Sequence, residues 1–165
     1  MNIKGFTLVE ILLTITIISL LTAAVLPSVG NFSDVNILNQ SLQNVASDIE
    51  NAKFKALSGG YAGPANLSSS RVYWGIACAN ATSYRLSPFQ TTAPAYSEMD
   101  TSTYSKTQNL VGGTTMSCAP AGAKIVFERL SGKVISGSGT TITITKGTRT
   151  GIITISSTGV INVTK

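Results

Sequence analysis

The feature that most constrains this chain is its opening, FTLVEILLTITIISLLTAAVL, residues 6–26. The run is 21 residues long, broken only by Glu10 and by the hydroxyls of Thr7, Thr14, Thr16, Ser19 and Thr22. As a helix rising 1.5 Å per residue it would extend about 31 Å, the thickness of one hydrocarbon core. Threonine and serine in such a helix can return their hydroxyls to the backbone and so cost little in lipid. Lys4 precedes the run, which favours an N-terminus left in the cytoplasm and a remainder sent outward.

Glu10 does not fit a plain anchor. A carboxylate at membrane depth costs about 2.5–3.5 kcal/mol on insertion scales. A secretory signal, with Thr22-Ala23-Ala24 as its small-residue cleavage region, or a simple membrane anchor gains nothing by keeping it. No basic residue follows until Lys53, so the same helix offers no counter-charge. The partner has to come from another chain or from a new N-terminus.

Lys4-Gly5-Phe6-Thr7-Leu8-Val9-Glu10, followed by an apolar run ending at Pro27, resembles the class III signal of type IV pilins and type II secretion pseudopilins. The resemblance covers about the first thirty residues. It implies cleavage between Gly5 and Phe6 by a prepilin peptidase at the cytoplasmic face, and methylation of the new Phe6 amine. It implies that Glu10 neutralises the Phe6 ammonium of a neighbouring subunit as the helix enters a filament. The partners implied are other pilin or pseudopilin subunits, the peptidase and an inner-membrane assembly platform. The implied location is the inner membrane as a single-pass protein with an extracytoplasmic domain, then the pilus or pseudopilus. Two charges that are each costly alone in an apolar medium become tolerable as a pair.

Pro27 lacks an amide hydrogen and is the expected helix break, either a kink or the end of the membrane helix. Beyond it Val35, Leu38, Leu42, Val45, Ile49, Ala52 and Ala56 recur at spacings of 3 and 4, the stripe of an amphipathic helix that packs on a sheet. Ser33 or Asp34 is its expected N-cap, and Gly59-Gly60 its stop. Asp48, Glu50, Lys53 and Lys55 lie off the stripe and read as a solvated face. The expected division is a leader at 1–5, a helix at 6–29 and a globular part at 30–165, with helix 34–58 and strands over 70–165.

After Gly60 the period changes from helical to alternating. Strands are expected at 71–76, 83–86, 124–128, 140–145, 151–155 and 160–163, with residues 87–107, rich in Pro, Ser and Thr, as a long loop. A helix followed by a run of antiparallel strands reads as α+β, and the resemblance makes it pilin-like. The tail from Val126 to Val163 also resembles the C-terminal half of H-type minor pseudopilins and related minor pilins. Some transformation-linked members carry arginines in the final glycine-led strand that bind DNA, but Gly159-Val160-Ile161-Asn162-Val163 contains none.

Composition closes off other functions. Charged residues make up only 12%, against about a quarter in soluble domains. Histidine is absent, which excludes His-dependent triads and His metal sites. The two cysteines, Cys78 and Cys118, are too few for a Cys-based zinc site and read as a disulfide, against two buried free thiols, fastening the 87–107 loop. Glu98 and Asp100 could help hold calcium but read as a solvated turn. No cofactor is expected, and no enzyme. The net charge of +5 lies wholly in residues 124–165. Lys146 and Arg149, flanking Gly147-Thr148, are the candidate contacts for DNA or another polyanion, a function alternative to that of a structural subunit.

Overall fold

The computed structural model describes residues 6–59, 72–92, 95–99 and 105–165; the side chains of residues 24–31, 91, 92 and 95 are outside the description. One helix, α1 (Leu8–Leu57), leads into ten strands. They are β1 (Val72–Cys78), β2 (Ser83–Thr92), β3 (Ala95–Glu98), β4 (Lys106–Asn109) and β5 (Thr115–Ala119). The others are β6 (Lys124–Phe127), β7 (Val134–Ser136), β8 (Thr141–Lys146), β9 (Arg149–Ile155) and β10 (Ile161–Thr164). The class is α+β, as the change of sequence period indicates.

The strands form two antiparallel sheets. The first runs β3-β2-β1-β6-β7, with β4 also on β2; the second runs β10-β9-β8-β5. The second half of α1 lies across both and closes one core. Leu38, Leu42, Val45, Ile49, Ala52 and Ala56 are all buried in it. The stripe read from spacing is therefore the buried face, with Val35 at its half-buried margin. Facing it are Trp74, Ile76, Leu86, Ile125 and Phe127 from the first sheet, and Ile142, Ile144, Ile153 and Ile155 from the second. Where α1 crosses β9 there is room only for glycine: a Cβ on Gly151 would come 2.4 Å from Leu42 Cδ1.

Four expectations need correction. Residues 87–107 are not one loop: β2 continues to Thr92 and β3 pairs with it through Phe89↔Glu98. Pro88 is tolerated because it stands where the outer neighbour of β2 changes from β4, paired over Ser83–Leu86, to β3. A missing N–H there breaks no ladder bond, and the Pro88 carbonyl accepts from Met99 N at 3.0 Å. Second, Ser33 and Asp34 cap nothing, since α1 is assigned as one element through Pro27 and onward. It ends as expected, with Ser58 as C-cap and Gly59 in the left-handed region at φ 65°.

Third, the charges off the stripe are not merely solvated. Asp48 accepts from Tyr84 Oη at 2.7 Å, Lys53 Nζ donates to the Gly159 carbonyl at 2.8 Å, and Lys55 Nζ sits 4.2 Å from the centre of the Trp74 ring. Long side chains at the margin of a buried stripe reach back to the strands they flank.

Fourth, Cys78 and Cys118 are joined, but the bond does not fasten the 87–107 region. It ties the end of β1 in the first sheet to β5 in the second.

Candidate functional site: the N-terminal turn and the basic hairpin

Thr7 is the N-cap of α1, with extended backbone (φ −78°, ψ 150°). Its Oγ1 accepts from Glu10 N at 3.3 Å. Thr7-Leu8-Val9-Glu10 thus has the residue types of a capping box, with Glu10 at N3, where the positive end of the helix dipole favours a carboxylate. The role of Thr7 was legible in that spacing, but the reading of the stretch as one apolar run passed over it.

Between Leu8 and Ala23 every hydroxyl is returned to the backbone. Thr14 donates to the Ile11 carbonyl, Thr16 to Leu12, Ser19 to Ile15 and Thr22 to Ile18, at 2.7–2.8 Å. Side chains from Leu8 to Leu21 that are large and apolar all stand exposed, as does Phe6 at 81%. The outer surface of residues 6–23 is therefore apolar on every side with one ionisable group. Among the described residues no hydrogen bond or ion pair reaches the Glu10 carboxylate. Such a surface is unstable in water and calls for lipid or for other helices.

Residues 1–26 match the family model described as the prokaryotic N-terminal methylation motif. The chain opens with a class III prepilin signal. No curated protein and no solved structure matches the chain. The motif supports a structural subunit of the type IV pilin or pseudopilin kind rather than an enzyme, one that assembles with other pilin subunits after processing by a prepilin peptidase. It also points to insertion in a membrane before assembly. Gly5, one side of the expected cleavage, lies outside the described residues. Among the described residues no helix is long and apolar enough to cross a membrane. The part of the apolar run with described side chains, Phe6 to Ala23, is 18 residues, of which the 16 from Leu8 lie in α1, and the expected 21-residue span extends past it. Pro27 likewise falls where side chains are not described.

The hairpin of β8 and β9 places Lys146 directly opposite Arg149, with Gly147 at φ 59° in the first central turn position, where type II′ turns take glycine. The two cations do not act alike. Lys146 Nζ donates to the Gly112 carbonyl at 2.7 Å and lies 3.8 Å from Asp34 Oδ1. Arg149 is exposed, and no hydrogen bond or ion pair engages it among the described residues. The candidate polyanion contacts are thus one committed lysine and one arginine that is unengaged among the described residues.

The other polar clusters are structural. Glu98 accepts from Ser87 Oγ at 2.8 Å and lies 3.6 Å from Arg85, while Asp100 is outside the described residues. No group of three metal-ligating side chains occurs among the described residues. In the cleft lined by Asn44, Ser47, Asp48, Tyr84, Gln108 and Asn109, burial first, and then the Asp48 carboxylate, push the Tyr84 phenol far above its ordinary range. That phenol is a hydrogen-bond donor locked onto the Asp48 carboxylate.

Proposed function

We propose that this chain is a pilin-like subunit, minor pilin or pseudopilin, of a type IV pilus or type II secretion filament. A prepilin peptidase cuts between Gly5 and Phe6, and the Phe6 amine is methylated. Before assembly the segment from Phe6 onward spans the inner membrane, with the domain outside, held by an assembly platform. In the filament Glu10 pairs with the Phe6 ammonium of a neighbouring subunit, and Pro27 marks the point where the helix opens.

The observation that carries this reading is the methylation motif on a segment, residues 6–23, whose whole outer surface is apolar except for Glu10. With its hydroxyls turned inward, that helix can be surrounded by lipid or by sister helices. The one group left to satisfy is a carboxylate one helical turn from the new N-terminus. Each charge alone would be expensive there, and the pair is not.

The test is mass spectrometry of the membrane-extracted protein. The expected chain begins at Phe6 with an N-methyl group. A mature chain beginning near Val25 would mean an ordinary secretory signal and would end the pilin reading.

The alternative, capture of DNA or another polyanion by Lys146 and Arg149, has less support. Lys146 is occupied by Gly112 and Asp34, and the final strand carries no arginine.

A further inference from the structure

The sequence concentrates its surplus charge in the last quarter, and the fold then divides it. Lys124 donates to the Tyr96 carbonyl and Arg129 to that of Gly59, away from the N-terminal side. Lys146, Arg149 and Lys165 come instead to the start of the packed part of α1. Arg149 and Lys165 line a cavity of about 250 Å³ whose other walls are Val35, Leu38, Asn39 and Thr150. Lys146 stands beside Asp34 at the same level of the helix. Among the described residues no hydrogen bond or ion pair occupies Arg149 or Lys165. Asp34, the one side-chain acid here, is matched by Lys146. Two uncommitted cations are left over an apolar floor.

Position along the helix says what they face. Val35 follows Leu26, the end of the apolar run, by nine residues, or roughly 14 Å of helix. The headgroup zone adds about 5–8 Å beyond the hydrocarbon core on each side. The cavity therefore opens within about one Debye length, ~8 Å at physiological salt, of the headgroups, and long cationic side chains shorten that gap. The field of anionic lipid acts on basic side chains over this distance.

From this we propose that the cavity bounded by Arg149, Lys165, Val35 and Leu38 docks the domain on anionic phospholipid headgroups of the membrane that holds α1. The phosphodiesters of the headgroups meet the two cations, which stand over Val35 and Leu38. The inference rests on the membrane reading of residues 6–26. Nucleic acid fits less well, since the cavity has no aromatic wall and offers two cations rather than a basic track.

The experiment uses the full chain in lipid nanodiscs of phosphatidylcholine alone or with phosphatidylglycerol, read by hydrogen–deuterium exchange. Residues 6–26 should be protected in both lipids. Peptides covering 33–40 and 145–151 should exchange on the order of tenfold more slowly with phosphatidylglycerol than without. That difference should vanish in Arg149→Ala/Lys165→Ala and at high salt, and survive in the charge-preserving Arg149→Lys/Lys165→Arg. Protection of 6–26 with identical exchange of 33–40 and 145–151 in the two lipids would overturn the docking site alone. Exposure of 6–26 in both lipids would overturn the membrane reading and the docking site with it. Slowing of the same peptides in phosphatidylcholine discs by added inorganic phosphate would make the site one for free anions. Slowing by duplex DNA there would assign it to nucleic acid.

Discussion

Replacing Cys78 and Cys118 with alanine tests what holds the two sheets together. The bond joins the last residue of β1 to β5 across a sequence separation of 40, enclosing β2, β3 and β4. Closing a loop of that length in the unfolded chain removes conformational entropy equivalent to about 4 kcal/mol at 25 °C in the chain-entropy model. Unfolding entropy of about 2.1 cal/mol/K per residue over the roughly 130 residues of the domain makes 4 kcal/mol worth about 15 °C in Tm. The assay is thermal unfolding of the full chain in detergent, followed by the fluorescence of Trp74, the only tryptophan, buried in β1 four positions before Cys78. The double variant should melt about 10–15 °C below the wild type, reductant should lower the wild type equally, and it should leave the variant unchanged. A variant melting within about 3 °C of the wild type would refute the reasoning. It would mean that α1, packed on both sheets, already restricts the chain as much as the bond does.

Three further outcomes are expected. Glu10→Gln should leave the domain's melting unchanged while abolishing incorporation into filaments, because removing one partner of a buried charge pair costs about 3–5 kcal/mol; incorporation at wild-type level, scored on sheared filaments, would count against the pairing. Gly151→Val should destabilise by about 1–3 kcal/mol through collision with Leu42, and Leu42→Ala should recover part of that loss in a double-mutant cycle. Tyr84 has a folded pKa raised above its unfolded 10.0, so its contribution is intact below pH 10 and is lost as pH rises further. Alkaline difference spectroscopy should show one tyrosine of the five ionising only as the domain unfolds, and Tyr84→Phe should remove that component.

What could be read from the chain follows the range of the interactions involved. The buried stripe from Leu38 to Ala56 was legible because helical spacing is a local property. So was the β8–β9 hairpin, because TITIT alternates and Gly147 marks its turn. Residues 87–98 misled, since Pro88 signals a break wherever it stands and only the pairing of β2 with two partners on one edge makes it harmless. β4 (KTQN) is a strand by virtue of its neighbours, not its own composition, and β7 (VIS), though β-branched, is three residues long and too short to show an alternation. At the site, Gly5, Phe6 and Glu10 announce themselves by motif. The attachments of Asp48 to Tyr84, Lys53 to Gly159 and Lys146 to Asp34 span 36, 106 and 112 positions, and nothing in a local window reports them. The cysteine pairing was legible because there are only two; which sheets it ties was not.

Because α1 is one element from Leu8 to Leu57, it is also the route by which force enters the domain. A pull applied near Glu10 travels along the helix axis and meets Leu38, Leu42, Val45, Ile49, Ala52 and Ala56, packed on both sheets. The load falls on these contacts in parallel, as shear, rather than on one after another, as peeling. A filament subunit built this way resists tension with its hydrophobic core. The disulfide, which links strands and not the helix, lies off the load path, so reducing it should lower heat resistance far more than tensile strength.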